Sequence, residues 1–275
     1  MLGQAVKTEI GDITQDADDL SIVAAGLRLP WSSNGLVGAD ILGPHVEALM
    51  AIDRVNARNG DQSHTTERFR QELLYLLLDN CSRGSIIEVG TMSGGMTALF
   101  AYVAAITGRH CFAIDINHNC ILATQRTCDR FGLAEYVRLC DGTLAMFVES
   151  HGPEVERPDL IFLDSDHSYG VTLAELRLIH SRPNLVPRWL ALHDFNYRHG
   201  TQAAWFGDIN ANNPIAVDRA AIDFLTREWS GPFPTMKRCG AFSGQFGTAT
   251  PDNPGALMQD YIARHGSEGM ILVYP

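Results

Sequence analysis

The chain has 275 residues, enough to bury one sizeable core or one core with an added segment. Hydrophobic residues make up 45% and charged residues 19%, the balance of a globular enzyme rather than a disordered or fibrous chain. The net charge of −11, with no clustered run of Lys and Arg, excludes a nucleic-acid backbone or an anionic membrane as main partner.

The six cysteines (Cys81, Cys111, Cys120, Cys128, Cys140 and Cys239) include no C-x-x-C pair, so neither a zinc knuckle nor a redox motif is expected. Their apolar surroundings fit free thiols in a reducing cytoplasm. No basic stretch followed by an apolar core marks a signal peptide at the N-terminus. The longest apolar stretch, Met96 to Ile106, is too short to span a bilayer. The expectation is a cytoplasmic protein without a membrane partner.

Residues 1 to about 43 read as irregular, with an acidic run from Asp12 to Asp19 and breaks at Pro30, Gly35, Gly38 and Gly43. An arm, a lid carrying Trp31, a subunit contact or a loose terminus all suit that pattern. Pro44 to Arg58 predicts a helix. Thr65 to Asn80 predicts a second, with Phe69, Leu73, Leu74, Leu77 and Leu78 on one packing face. The division drawn is an N-terminal arm and helix over 1–64, for a lid or oligomer contact, and a catalytic domain over 65–275. A homo-oligomer is expected.

From there short apolar strands alternate with helices. Strands are predicted over Ser85–Val89, Cys111–Asp115, Tyr136–Leu139, Leu160–Leu163 and Trp189–Leu192. Helices are predicted over Met96–Thr107, Asn119–Phe131, Leu144–Ser150, Val171–His180 and Ile215–Trp229. That alternation predicts an α/β, doubly wound, mostly parallel sheet covered on both faces, with ligands at the carboxyl ends of the strands. Met236–Phe242 and Gln245–Thr250 predict a closing hairpin. The apolar run Met270–Tyr274 is strand-like but has no predicted place.

The run Ile86-Ile87-Glu88-Val89-Gly90-Thr91-Met92-Ser93-Gly94-Gly95 joins the first strand to its helix. Its spacing is G-x-x-x-G-G, so the dinucleotide fingerprint is absent. An acid two positions before the first glycine suits a cationic ligand better than a pyrophosphate. Asp115 ends the second strand, twenty residues after Gly95, where a carboxylate can accept hydrogen bonds from ribose hydroxyls. Asp141-Gly142-Thr143 follows the third strand, within reach of a base edge. Each acid alone could be a loop or cap residue. In order, at successive strand ends, they favour a nucleoside.

Over residues 65 to 230 the chain resembles the class I S-adenosylmethionine (SAM) dependent methyltransferases. The resemblance implies a seven-stranded Rossmann-like sheet. It implies cofactor contacts at Glu88, Gly90, Thr91, Ser93, Gly94, Asp115, Asp141, Gly142 and Asp164. The glycine turn would meet the methionine part, Asp115 the ribose and the third strand end the adenine.

The fourth strand ends in Asp164-Ser165-Asp166-His167-Ser168-Tyr169, and the fifth in His193-Asp194-Phe195-Asn196. Asp and His crowding two strand ends suggest a divalent metal, a general base or both. This stretch is similar to metal-dependent O-methyltransferases of sugar and macrolide hydroxyls, and to a group described as cephalosporin-hydroxylase-like. The resemblance implies Asp164, His193 and Asp194 as metal ligands, His167 as base with Asp166 beside it, Mg²⁺ or Mn²⁺ as the ion and a hydroxylated small molecule, such as a secondary metabolite, as acceptor. His193 departs from the pattern, where a carboxylate is usual, and an imidazole weakens the case for magnesium. Three outcomes stay open: the ion is Mn²⁺ or Fe²⁺, Asp166 or Asn196 substitutes for His193, or no metal binds. Trp205 and Phe206 suit an acceptor wall or an inserted turn equally. A non-catalytic SAM-binding scaffold is the alternative reading. An oxygenase is disfavoured, because no two-His-one-carboxylate set on a β-sandwich pattern is visible.

Overall fold

Five short runs rich in Ile, Val, Leu and Phe form parallel strands, and two further strands close the sheet. They are β1 (Ile86–Val89), β2 (Cys111–Asp115), β3 (Val137–Asp141), β4 (Leu160–Leu163), β5 (Trp189–His193), β6 (Thr235–Arg238) and β7 (Gly269–Val273). The structure is a computed structural model and describes residues 2–29, 31, 39–63, 65, 67–79, 83–155, 157–194, 216–238 and 269–275. The helices are α1 (Leu2–Leu27), α2 (Ala39–Asn59), α3 (Glu67–Leu78), α4 (Gly95–Thr107), α5 (His118–Arg130), α6 (Leu144–His151), α7 (Tyr169–His180) and α8 (Val217–Arg227).

Among the described residues the sheet has seven strands, in the order β3-β2-β1-β4-β5-β7-β6. The first five run parallel, and β7 runs antiparallel between β5 and β6. The chain winds outward from β1 to β3, then returns to lay β4 on the other side of β1. The crevice of a doubly wound sheet therefore opens between the ends of β1 and β4.

Side chains alternate across the sheet with a period of two. Ile86, Cys111, Phe162, Ala191 and Ile271 face one apolar layer with α2, α3 and α4. Ile87, Phe112, Ile161, Leu190 and Leu272 face the other, with α6, α7 and α8. The stripe Phe69, Leu73, Leu74, Leu77 and Leu78 is buried, as its spacing predicts.

The N-terminal region differs from its irregular reading. Residues 2–27 form one long helix, and α2 begins at Ala39 with Pro44 inside it rather than at its start. The acidic run misleads because its charges are paired across helices. Asp19 accepts from Arg54 at 2.6 Å and from Arg58 at 2.6 Å, and Asp16 accepts from Arg58 at 2.6 Å. Burial pushes the Asp19 carboxyl up, but its bonds to Arg54 and Arg58 outweigh this and hold it below the usual value. Val23, Ala48, Ile52 and Val55 join the same core cluster as α3 and α4, so the boundary drawn at residue 64 separates helices that share one core. Trp31 packs edge-on against His45, with ring centroids 5.4 Å apart, and His45 Nδ1 stands 2.9 Å from the Tyr102 hydroxyl. Trp31 thus packs within this helical layer.

At the other end, Thr235–Arg238 pairs antiparallel with Gly269–Val273. The strand-like tail is the inserted antiparallel strand. The expected partner Gln245–Thr250 lies outside the described residues. Among those residues, no helix is long and apolar enough to cross a membrane. Among the described residues, Cys111, Cys120, Cys128 and Cys140 are free thiols.

Candidate active site

The turn after β1 is built by glycines at points of close approach. Gly90 has φ 90°, and a Cβ there would collide with the Asp164 carbonyl at the end of β4. Gly94 has φ 84° and backs directly onto Thr124 of α5. A Cβ on Gly95 would run into the backbone of Asp61 and Ser63. The glycine spacing thus lets β4, α5 and the segment after α2 converge on one turn. Ser93 contributes its carbonyl, which accepts from Thr127 Oγ1 at 2.7 Å.

Asp115 fixes that turn from the neighbouring strand. One carboxylate oxygen accepts from the Thr91 amide at 2.8 Å and the Met92 amide at 3.3 Å; the other takes the Asn117 amide at 2.8 Å. The glycine bend and Asp115 therefore lie side by side at the same edge of the sheet. Asp141 stands opposite Asp115 in register, and the Gly142 amide donates to the Asp115 carbonyl at 2.9 Å. His118, at the start of α5, places Nδ1 2.6 Å from Asp141 Oδ2, a pair that no sequence signal marks. Ile116, between these acids, is 75% exposed and leaves an apolar surface at the strand ends.

Glu88 sits apart from this edge. Its side chain is 1% exposed, on the α4 face of β1, and accepts from Thr97 Oγ1 at 2.5 Å. Burial raises its pKa well above the carboxylate range, against the Thr97 bond, with the charges of Asp164 and Asp115 adding to the rise. Glu88 thus lies within the strand–helix packing, bonded to Thr97. It is the third of four strand residues, so its side chain points into a layer rather than past the strand end.

The second cluster forms where β4 and β5 end side by side. His193 Nδ1 lies 2.6 Å from Asp164 Oδ1 and 3.5 Å from Asp194 Oδ1. His167 Nε2 stands 3.6 Å from Asp164 Oδ1 and 3.6 Å from Asp194 Oδ2. One ligand atom each from Asp164, His167 and His193 all fall within 4.8 Å of one another. Two His and one carboxylate thus meet here, although no such set on a β-sandwich pattern is visible in the sequence. The residues are far apart in sequence and meet because β4 and β5 pair, on an α/β sheet rather than a sandwich. Asp194 has φ 49°, a left-handed conformation unusual outside glycine and held here at the strand end.

The His193 ring is buried. It lies parallel to Phe69 at 6.1 Å between centroids and edge-on to Phe162 at 6.1 Å. Phe69, read as a packing residue, thus also walls the site.

Asp166 is not brought into this group. It is exposed and accepts from the Ser168 amide at 2.9 Å, closing the turn into α7. The loop carrying His167 is anchored instead by its neighbours. Ser165 Oγ lies 2.9 Å from both carboxylate oxygens of Glu175, the His167 carbonyl accepts the Ala216 amide at 2.8 Å, and the Tyr169 hydroxyl donates to Asp223 at 2.9 Å. Glu175 is pushed up to about 7 by burial, against the Ser165 bond, with the Asp166 charge adding to the rise. Asn196, Tyr197, Trp205 and Phe206 lie outside the described residues.

Residues 87–195 match the family described as Methyltransferase domain. A catechol O-methyltransferase of Niastella koreensis is 27% identical over 149 residues, 54% of this chain and 67% of that protein. An O-methyltransferase from Bacillus cereus in complex with SAH superposes with a TM-score of 0.52 at 17% identity, covering 86% of this chain and 94% of the other. The O-methyltransferase TomG from Streptomyces achromogenes, in complex with SAM, gives 0.51 at 14% identity, covering 83% and 90%. The last two likenesses concern the fold. With the strand order, the glycine turn and the acids at successive strand ends, these matches make the chain similar to the class I SAM-dependent methyltransferases, with the methyltransferase-domain match confined to residues 87–195.

Proposed function

We propose that the protein is a SAM-dependent O-methyltransferase acting on a hydroxyl of a small molecule, with His167 as base and a divalent ion at Asp164, His193 and Asp194. The observation that carries this reading is the juxtaposition at the β1–β4 crevice. The Gly90 turn touches the Asp164 backbone, so a nucleoside held by the turn and Asp115 would lie beside the Asp–His cluster. The SAM and SAH complexes of the two structural relatives and the catechol relative support the cofactor and the oxygen acceptor.

When bound, SAM supplies an electrophilic methyl on a sulfonium, and the ion would anchor the acceptor oxygen and lower its pKa. The chain's residues do the rest. Asp115 Oδ2 is taken up by the Thr91 and Met92 donors, whereas Oδ1, which accepts the Asn117 amide, retains acceptor capacity for a ribose hydroxyl. Asp141, exposed opposite it, faces the base end. Asp164, His193 and Asp194 provide two oxygen donors and one nitrogen donor for the ion. His167 Nε2, beside both carboxylates, takes the hydroxyl proton as the acceptor oxygen gains the methyl group and the carbon–sulfur bond breaks. Holding the oxygen in line with that carbon contributes several kcal/mol by orientation alone.

The test is methyl transfer from labelled SAM to a panel of catechols, glycosides and other hydroxylated acceptors, with and without a chelator. Labelled, chelator-sensitive product is expected; no transfer to any hydroxyl acceptor would contradict the reading. Two His and one carboxylate are also a donor set of non-haem iron oxygenases. The same panel with Fe²⁺, 2-oxoglutarate and O₂ in place of SAM is expected to give no product.

A further inference from the structure

We propose that the cluster at the ends of β4 and β5 selects a divalent transition metal over magnesium, and that the buried imidazole of His193 sets this choice. The inference deepens the reading above and rests on its assignment of an ion to these residues. Magnesium demands six hard oxygen ligands in near-ideal octahedral geometry, whereas manganese, iron, cobalt and zinc accept imidazole readily. The donor atoms assigned to the ion are mixed: Asp164 Oδ1 and Asp194 Oδ1 offer oxygen, and His193 Nδ1 offers nitrogen at 2.6 Å and 3.5 Å from them.

His193 cannot readily turn its nitrogen aside. Its side chain is 6% exposed, and its ring is boxed by Phe69 on one face and Phe162 at its edge. Gly269, paired with His193 across β5 and β7, admits the Phe69 ring; a Cβ there would collide with it. The box thus fixes Nδ1 against Asp164 Oδ1 at 2.6 Å. Immobilised ligands of this kind make selectivity a property of the fold, because a hard ion cannot exchange the nitrogen for a carboxylate without rebuilding the packing beneath it.

The test uses the full chain, stripped with a chelator and free of SAM and acceptor. MgCl₂ and CoCl₂ are titrated separately by calorimetry, and the visible absorption of bound Co²⁺ reports nitrogen ligation. Nearly every protein site favours cobalt over magnesium to some degree. The decisive quantity is therefore how far His193→Asp changes the ratio of the two affinities. The ratio is expected to fall by about tenfold or more, beyond the low end of changes around the ligands, with loss of the nitrogen-ligated spectrum. An unchanged ratio, magnesium binding as tightly as cobalt in the wild type, or no binding of either ion would overturn the proposal. Should His193→Asp fail to fold by circular dichroism, the near-isosteric Asp164→Asn decides. It is expected to lose the Co²⁺ site, and retention of that site would overturn the proposal. Because neither SAM nor acceptor is present, a failed titration leaves methyl transfer to stand or fall in its own assay.

Discussion

Gly90 follows β1 and His167 follows β4, and the two make different demands on the chain. At Gly90 a side chain would be strained by φ 90° and would strike the Asp164 carbonyl. Gly90→Ala is therefore expected to cost about 2 kcal/mol or more in urea unfolding, from backbone strain and the collision together. A loss below about 0.5 kcal/mol, the range of neutral surface changes, would contradict the close approach. His167 is instead part of the chemistry. With Nε2 at 3.6 Å from two carboxylates and no packing role comparable to His193, its replacement should spare the fold. His167→Ala is expected to lower turnover by about 10²–10⁴-fold, while the affinity for S-adenosylhomocysteine stays the same. Unchanged turnover would remove His167 from the mechanism.

At the scale of elements, the β4–α7 loop is held from behind by Glu175 through Ser165. Burial raises the Glu175 pKa to about 7 in the folded chain, from the ordinary 4.5 expected when unfolded. A raised acid favours folding fully below about 4.5, and that contribution is lost as pH rises through about 7. Gln mimics the protonated carboxyl. The melting temperature of Glu175→Gln relative to wild type is therefore expected to rise between about pH 5 and pH 7 and to level off above. A pH-independent difference would contradict the burial.

Elements of this kind were legible in the sequence to differing degrees. The strand Cys111–Asp115 and the apolar run Leu160–Leu163 match their sequence boundaries, because uninterrupted short apolar runs between helices have one place to go. The helix over 2–27 was not legible, because its acids looked like solvated loop residues until Arg54 and Arg58 came into contact with them. Asp115 could be found from its place at a strand end, whereas the His118–Asp141 pair and the Phe69–His193 stack required the fold. The burial of Glu88 also required the fold, because position in a motif says nothing about which side of a strand a carboxyl faces.

Across the whole molecule, the sheet order brings two distant stretches into one crevice. The turn after β1 and the ends of β4 and β5 are separated by some seventy to a hundred residues of chain, yet β1 pairs directly with β4 and β4 with β5. The antiparallel β7 extends the sheet beyond β5 and places Gly269 opposite His193, so the last described strand helps to shape the second cluster. Both apolar layers pack against this one sheet, which gives the crevice a rigid floor.

The most direct measurement is a crystal structure of the full chain with S-adenosylhomocysteine. The account predicts the ribose on the Asp115 carboxylate, the base toward Asp141 and the sulfur turned toward Asp164, His167 and His193. A nucleoside bound elsewhere, or one whose sulfur points away from those three residues, would contradict it.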